Sequence, residues 1–379
     1  MQSRLSPRRK SHRRTRTSER IAVDQLGVRM LILGLETSCD ETAASVVEDG
    51  VRVRSSVVAS QHDIHAEYAG VVPELASRAH CERVLPIVRR AVADAGATYG
   101  DIGAVAVGHR PGLIGALLVG VSAAKALAWS LGVPLVGVDH VHAHLYAGEL
   151  GREVPATFPA IGLVVSGGHT SLYLMHDWLN VRRLGATIDD AMGEAFDKAA
   201  TILGLPHPGG PNLDALAREV GANDRLVQLP VSRLGADSLD FSFSGLKTAL
   251  LYAARGVPNA KDEALKPQPL TDERRRDLAA SFQRAAVGAV LVKLDRALER
   301  VRGEGLAIQT LLTGGGVTAN SRLRSELGQW AQRNRLSLAL PPMGYCVDNA
   351  AMIAGLGYHL LGAGRESGLD LRAVPTTGL

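Results

Sequence analysis

The chain has 379 residues, of which 46% are hydrophobic and only 4% aromatic, and it contains 41 glycines and three cysteines. This length allows two domains with a large core, and the glycine-rich, aromatic-poor composition favours an α/β protein over a nucleic-acid binder that stacks bases on aromatic rings. Cys39, Cys81 and Cys346 form no CxxC pair, which argues against a disulfide framework and for a reducing, cytoplasmic environment.

The formal net charge of +4 hides an uneven distribution. Residues 1–29 hold nine Lys or Arg side chains and two acids, an excess of seven positive charges, so the rest of the chain carries −3. The segment is polar and aperiodic and predicts a disordered basic extension, with a nucleic-acid-binding tail as the alternative. Because the remaining body is mildly acidic, an RNA contact there would need a local patch or a partner protein.

The first predicted strand, Leu31–Glu36, leads into a turn rich in hydroxyl and acidic side chains at residues 37–42, and then into a second strand. The turn contains Asp40 and Glu41. Such a hairpin can direct backbone N–H groups and hydroxyls at a phosphate, although a plain hairpin is the alternative. After this hairpin, a proline in a first turn predicts a helix over Pro73–Asp94.

A charge-poor stretch at residues 111–124 predicts a buried helix, because it is too short to span a bilayer. It lies between predicted strands at residues 104–107 and 134–138. The strand–helix–strand order with short loops is typical of a doubly wound sheet.

Three histidines alternate in the helical stretch that follows. His140 and His144 are four residues apart and therefore lie on one face of a helix, where two imidazoles can bind one divalent cation. The third ligand is predicted to be Asp348, an acid just before an apolar helix. His142 is placed off that face by its spacing. A surface or capping histidine cluster is the alternative for the pair.

The second half of the chain repeats the opening pattern about 130 residues later. An apolar strand, Ala160–Val165, meets a small-residue loop at residues 166–170 and is followed by another strand. A helix is predicted over residues 188–203, and a third glycine loop lies at residues 313–316. The repetition predicts two similar lobes, and the three loops predict a nucleotide-like ligand in the cleft between them.

Eight stretches together resemble the TsaD family of bacterial tRNA threonylcarbamoyltransferases, once called O-sialoglycoprotein endopeptidases. The resemblance spans about residues 31–365 in the family's order, on the strings GLETSCDET, GVVPELASRAH, PGLIGALLVG, VSGGHTSLY, EAFDKAATILGLPHPGGPNLD, FSFSGLKTA, LTGGGVTANSRLR and YCVDNAAMIA.

The resemblance implies a two-lobed α/β fold of the actin-like ATPase and sugar-kinase superfamily, with duplicated RNase H-like domains. We expect lobe I at residues 30–157, lobe II at 158–345, and a C-terminal helix and tail at 346–379 that closes against lobe I. The implied activity is transfer of the L-threonylcarbamoyl group from threonylcarbamoyl-AMP to the exocyclic amine of the adenosine 3′-adjacent to the anticodon, in tRNAs that read ANN codons.

The same resemblance assigns site residues. The metal ligands would be His140, His144 and Asp348, with Fe²⁺ the most expected ion and zinc or magnesium the alternatives. Asp40 and Glu41 would lie close to the reacting groups. The adenylate, or ATP or ADP in its place, would contact Val164, Val165, Ser166, Gly167, Gly168, Asp197, Gly210, Asp214 and Asn320.

The implied partners are tRNA, a TsaB-like paralogue and a TsaE-like ATPase, with no membrane association. A metalloprotease and a small-molecule kinase on the same fold are the rival functions. The run 140–144 lacks the glutamate that metalloprotease helices carry between their histidines. The chain also departs from the family where a Gly-Pro-Gly turn is replaced by Arg110-Pro111-Gly112, which puts the geometry of that loop in question.

Overall fold

The computed structural model describes residues 29–65, 68, 70–258, 266 and 269–378. The predicted basic extension lies outside the described residues, apart from Arg29. The described residues form two five-stranded sheets with helices packed on their faces. The strands are β1 Leu31–Glu36, β2 Glu41–Glu48, β3 Arg52–Ser60, β4 Ile102–Arg110, β5 Leu135–Asp139, β6 Ala160–Val165, β7 Thr170–Met175, β8 Val181–Ala186, β9 Thr310–Gly314 and β10 Ser337–Ala339.

The helices differ widely in length, from one turn to thirty-two residues. They are α1 His62–His65, α2 Pro73–Asp94, α3 Ile114–Leu131, α4 His140–Tyr146, α5 Met192–Ile202, α6 Gly209–Ala217, α7 Ser244–Arg255, α8 Asp272–Gly303, α9 Ser321–Asn334 and α10 Ala350–Gly362.

The two sheets share one topology. The first sheet has the order β3-β2-β1-β4-β5, and the second has β8-β7-β6-β9-β10. In chain order, the first three strands of each sheet form antiparallel hairpins. The last two strands run parallel to the central strand, which is β1 in the first sheet and β6 in the second. The repeated order confirms the duplication that the sequence echo predicted.

The central strand β1 is buried on both faces, because α2 and α3 lie on one side of the first sheet and α10 on the other. The approach of α10 is close at Gly34, where a Cβ atom would lie 2.2 Å from the carbonyl oxygen of Ala350. Only glycine permits this contact. As a result, Asp348, two residues before the start of α10, lies at the end of the first sheet at which β1 and β5 finish.

Two predictions about helices were wrong. The helix expected at residues 188–203 begins only at Met192, because Asp189 and Asp190 are held outside it. Asp189 accepts hydrogen bonds from Ser242 Oγ at 2.6 Å and Ser244 Oγ at 2.7 Å, and Asp190 pairs with two lysines. These contacts connect the loop before α5 to the beginning of α7. A local sequence pattern cannot predict contacts between segments so far apart in the chain.

The helix expected to be buried, α3, is only one-third buried. Ile114, Leu118 and Trp129 are about half exposed or more, with Trp129 at 75%. By length and composition alone, α3 could cross a membrane, but many core helices of water-soluble folds are equally long and apolar. The inner face of α3 packs on α2 and β4 as part of the first lobe. Its outer face is apolar but exposed to solvent.

Candidate active site

The histidine helix α4 starts immediately where β5 ends, so its position is fixed by the first sheet. Every residue from His140 to Tyr146 is buried. Asp139 caps the helix, since one of its carboxylate oxygens accepts hydrogen bonds from the backbone N–H groups of Val141 at 3.0 Å and His142 at 3.2 Å. The buried, capped helix therefore holds its side chains in fixed positions.

His140, His144 and Asp348 come together as predicted from the sequence. One ligand atom from each lies within 4.8 Å of the others. Asp348 Oδ1 is 3.5 Å from Nε2 of His140 and 3.2 Å from Nε2 of His144, and the two imidazole rings meet edge to face at a centroid distance of 4.6 Å. Two imidazole nitrogens and one carboxylate oxygen form a donor set suited to a divalent transition metal.

Glu36 is a second carboxylate at this cluster, and the sequence did not single it out. It is fully buried at the end of β1, and its Oε2 lies 2.9 Å from Nδ1 of His140. Its other oxygen accepts the N–H of Ser38. A carboxylate behind a ligating histidine fixes the tautomer that leaves Nε2 free for a metal. The sequence feature that could have identified Glu36 is its position as an acidic residue at the end of an apolar, buried strand.

The charges around the cluster shift its pKa values in opposite directions. Burial alone would lower the pKa of His140, but Glu36 and Asp348 outweigh burial and raise it to about 10. Burial would raise the pKa of Asp348, yet the neighbouring His140 and His144 bring it below its usual value. For His144, burial dominates and lowers the pKa, so this imidazole is neutral and free to act as a ligand.

The ring nitrogens of His144 have few hydrogen-bond partners. Both of its ring nitrogens are buried: Nδ1 makes no hydrogen bond to any described residue, and the nearest partner of Nε2 is Oδ1 of Asp348 at 3.2 Å. A buried imidazole without a partner is costly unless something else binds it. The alternating residue His142 is also buried but is not part of the three-residue cluster, and burial lowers its pKa to about 4.

The acidic turn at residues 37–42 lies beside the cluster. Asp40 is held at its backbone, where its carbonyl oxygen accepts the N–H of Gln61 at 3.1 Å, and its carboxylate lies 3.7 Å from Nδ1 of His62. The pKa of Glu41 is raised to about 9 by burial and by the negative charges of Asp348 and Asp40. Without a cation on Asp348, Glu41 therefore retains its proton at neutral pH and can donate a hydrogen bond.

The small-residue loop of the second lobe is open on one side. Val164 and Val165 end β6, and the Ser166 N–H donates to the carbonyl oxygen of His169 at 2.7 Å, which closes the loop. Gly167 and Gly168 are exposed, and nothing lies within 4 Å of where their Cβ atoms would be. Bare backbone facing open space can approach a phosphate closely.

The third glycine loop joins the first two regions. A Cβ atom on Gly314 would lie 1.9 Å from the carbonyl oxygen of His144, and one on Gly315 would lie 2.3 Å from that of Val165. These two glycines allow β9 to touch both the histidine helix and the strand before Ser166. The cluster of His140, His144 and Asp348 and the open loop are thus connected by direct backbone packing across the lobes.

The remaining predicted binding residues form two linked groups further into the second lobe. Asp197 on α5 accepts the backbone N–H of Gly210 at 3.1 Å. Asp214, one helical turn after Gly210 on α6, lies 3.3 Å from Nδ2 of Asn320, whose own oxygen caps α9. Gln283 on α8, which the sequence did not suggest, donates to both Asp214 at 2.6 Å and Asn320 at 3.0 Å.

Comparison with known proteins decides the family. A family model described as TsaD, tRNA N6-adenosine threonylcarbamoyltransferase, matches residues 52–355. The chain belongs to the TsaD family. TsaD relatives named tRNA N6-adenosine threonylcarbamoyltransferase include one from Anaeromyxobacter dehalogenans, 50% identical over 91% of this chain and 98% of its own length. Another, from Symbiobacterium thermophilum, is 50% identical over 92% of this chain and 97% of its own.

Membership of the TsaD family identifies the chain as a transferase that acts on tRNA, as the sequence predicted. The rival functions, metalloprotease and small-molecule kinase, find no support in these relatives.

Solved structures agree on the fold. HypF from T. kodakarensis matches with a TM-score of 0.56 at 16% identity, over 88% of this chain and 48% of that one. A full-length HypF in the phosphate- and nucleotide-bound form matches with a TM-score of 0.52 at 12% identity, over 91% of this chain and 56% of that one. Together with the duplicated sheet topology, this likeness confirms the two-lobed actin-like ATPase and sugar-kinase fold for this TsaD chain.

Proposed function

We propose that the cleft binds threonylcarbamoyl-AMP and that the chain transfers its threonylcarbamoyl group to the exocyclic amine of the adenosine 3′-adjacent to the anticodon, in tRNAs that read ANN codons. The observation that carries this proposal is the convergence of His140, His144 and Asp348 within 4.8 Å of one another, beside an acidic turn and an open glycine loop. Carbonyl transfer from an adenylate can use all three elements: a cation site, acid–base groups and an anion-binding backbone.

His140, His144 and Asp348 would hold one divalent cation. The Nε2 atoms of the two buried imidazoles both face Oδ1 of Asp348, and this mixed set of nitrogen and oxygen donors fits such an ion. Two histidines and one carboxylate favour Fe²⁺, with zinc and magnesium as alternatives. Such a cation would supply Lewis-acid polarisation of a phosphoryl or carbonyl oxygen.

The protein's own groups would position the donor. The open backbone of residues 166–168 would receive the phosphate, and Val164 and Val165 would hold that loop near the cluster. Asp197, Gly210, Asp214 and Asn320 would hold the adenosine end, with Asp214 and Asn320 fixed by Gln283. An adenine amine is a poor nucleophile, so most of the acceleration would come from orienting it against the carbonyl carbon.

Asp40 and Glu41 would have different acid–base roles. Burial is the largest cause of the raised pKa of Glu41 and would persist with a cation on Asp348, so Glu41 would donate a hydrogen bond to a developing negative oxygen. The role of accepting the proton from the attacking amine then falls to Asp40.

The acid–base assignment is tested with purified protein, tRNA and threonylcarbamoyl-AMP, by mass spectrometry of the digested nucleosides. We expect Asp40→Asn to lower the transfer rate by about a hundredfold, within the usual range for a general base. Asp63→Asn, at an exposed acid on α1, is the matched control. An unchanged rate for Asp40→Asn would remove Asp40 from the mechanism.

The outer face of the first lobe suggests where a partner binds. Leu85 on α2 and Ile114, Leu118 and Trp129 on α3 are large apolar side chains exposed to about half or more, whereas scattered single residues are the norm on a free surface. We assign this α2–α3 face to a TsaB-like paralogue, which leaves a TsaE-like ATPase and tRNA to bind elsewhere. An enzyme that modifies tRNA with these partners would act in the cytoplasm.

A further inference from the structure

The chain after α10 forms a strap along the edge of the first sheet. We call residues 365–378 the C-terminal strap. Ser367 pairs with the edge strand β5, since its N–H donates to the carbonyl oxygen of Leu135 at 2.8 Å. Further on, the N–H of Val374 donates to the carbonyl oxygen of His109 at 2.9 Å. The strap thus covers an otherwise open sheet edge and follows it toward the end at which α4 begins.

The far end of the strap reaches the cap of the histidine helix. The Thr377 hydroxyl and the Gly378 N–H each donate to Oδ2 of Asp139 at 2.9 Å. The other oxygen, Oδ1, accepts the N–H groups of Val141 and His142. A single buried carboxylate therefore joins the last described residues of the chain to the first turn of α4.

Arg110 completes this contact. Its Nε lies 3.4 Å from Oδ2 of Asp139, and its guanidinium rests against Gly378, where a Cβ atom would be 2.2 Å from Cζ. This is the residue that stands where the family's turn has glycine. Arg110 supplies the positive charge that a buried carboxylate needs, and it is compatible with its loop because it ends β4 without a positive φ.

We propose that the C-terminal strap, through Asp139, sets the direction of His140 and His144 and so tunes the affinity of the cation site. Helix α4 has only seven residues, and helices so short do not hold their shape without outside contacts. Its first turn is fixed by Asp139, and Asp139 is fixed by Thr377, Gly378 and Arg110. These are positioning residues, and the inference rests on the proposed cation site.

The test compares two strap variants with one matched control in the full-length background. Deleting residues 377–379 removes both strap donors, and Thr377→Val removes the hydroxyl alone at constant shape. Thr376→Val, at an exposed neighbour, is the control. We expect the deletion to weaken Co²⁺ binding about tenfold and to change the visible absorption spectrum of the bound Co²⁺, as loss of supporting contacts behind metal ligands does. Thr377→Val should have a smaller effect, and Thr376→Val none.

Asp139→Asn separates the cap from the strap contact. Asparagine keeps an oxygen for the N–H groups of Val141 and His142, but its amide presents a donor to Thr377 and Gly378. We expect Asp139→Asn and the deletion to have similar effects that do not add in the combined variant, because both break the same contact. Additive effects, or a deletion variant with wild-type Co²⁺ affinity and spectrum, would overturn the proposal.

Hydrogen exchange of the metal-free protein gives a readout that does not depend on the cation. The amides of Val141 and His142 should exchange faster in the deletion variant, while those of β1 keep their protection. If the wild-type chain bound no cation, the proposed function would fail while the exchange comparison still tested the strap. If it bound Co²⁺ and the amides were equally protected in both proteins, the strap would have no positioning role.

Discussion

The carboxylate of Glu36 lies 2.9 Å from Nδ1 of His140, although the two residues are 104 positions apart in the chain. The contact directs Nε2 of His140 toward Asp348 and His144. A buried carboxylate from the central strand β1 thereby orients one of the proposed metal ligands on α4, so the first sheet contributes a side chain to the candidate site as well as supporting it.

Glu36→Gln should weaken cation binding by about ten- to a hundredfold, the usual cost of losing a carboxylate behind a ligating histidine. Glutamine keeps the size of the side chain but no longer favours the Nδ1-protonated imidazole by its charge. Titration with Co²⁺ at pH 7 measures the effect. Glu48→Gln is the control, since Glu48 is equally buried at the end of β2 but pairs with Arg54. Equal losses in both variants would mean that any buried carboxylate in this sheet matters, and Glu36 would have no specific role.

Glu41→Gln should change how stability depends on pH in metal-free buffer. The folded-state pKa of Glu41, about 9, lies above its unfolded value of 4.5, so the folded protein binds this proton more tightly than the unfolded chain. Wild-type stability therefore loses a contribution as pH rises from 4.5 to about 9, and no more above that. Urea unfolding at several pH values should show Glu41→Gln gaining on wild type across this window.

Glu82→Gln, at an exposed position on α2, should follow the wild-type pH profile. A difference between Glu41→Gln and wild type that stays constant from pH 4.5 to 9 would show that Glu41 does not hold its proton at neutral pH.

Gly314→Ala should destabilise the protein by roughly 1–3 kcal/mol, the common cost of forcing an extra methyl into a packed site. Its Cβ would lie 1.9 Å from the carbonyl oxygen of His144, so either β9 or α4 must move. Because α4 carries two of the three proposed metal ligands, Co²⁺ affinity should fall as well. Gly316→Ala is the control, as nothing lies within 4 Å of its Cβ position. A Gly314→Ala protein with the stability of Gly316→Ala would contradict the close packing of the two lobes here.

Leu118→Asp should weaken binding of a TsaB-like paralogue by at least tenfold without unfolding the chain, because it places a charge in the exposed apolar α2–α3 face. Calorimetric titration of the two purified proteins measures this. Val220→Asp, at a 95% exposed position in the second lobe, should bind normally. Normal binding by Leu118→Asp would move the partner surface elsewhere.

The parts of the site that sequence reasoning predicted are those with a local signature. The pair His140 and His144 follows from helical spacing, and the duplicated strands follow from their apolar runs and small-residue loops. Glu36 and Gln283 escaped because their roles depend on contacts between distant segments. For the same reason, the resemblance implied a C-terminal tail against lobe I but not the contact of that tail with Asp139. The exposure of α3 was missed for a similar reason: an apolar helix has the same composition whether it faces a core or a partner.

The most direct test of the central claim, that His140, His144 and Asp348 hold a cation needed for transfer, is mass spectrometry of tRNA nucleosides from cells depleted of the native chain and complemented with His140→Ala. His176→Ala, at an exposed histidine of the second lobe, serves as the matched control. We predict that threonylcarbamoyladenosine is lost with His140→Ala and restored with His176→Ala. Full modification in cells that contain only the His140→Ala protein would contradict the account.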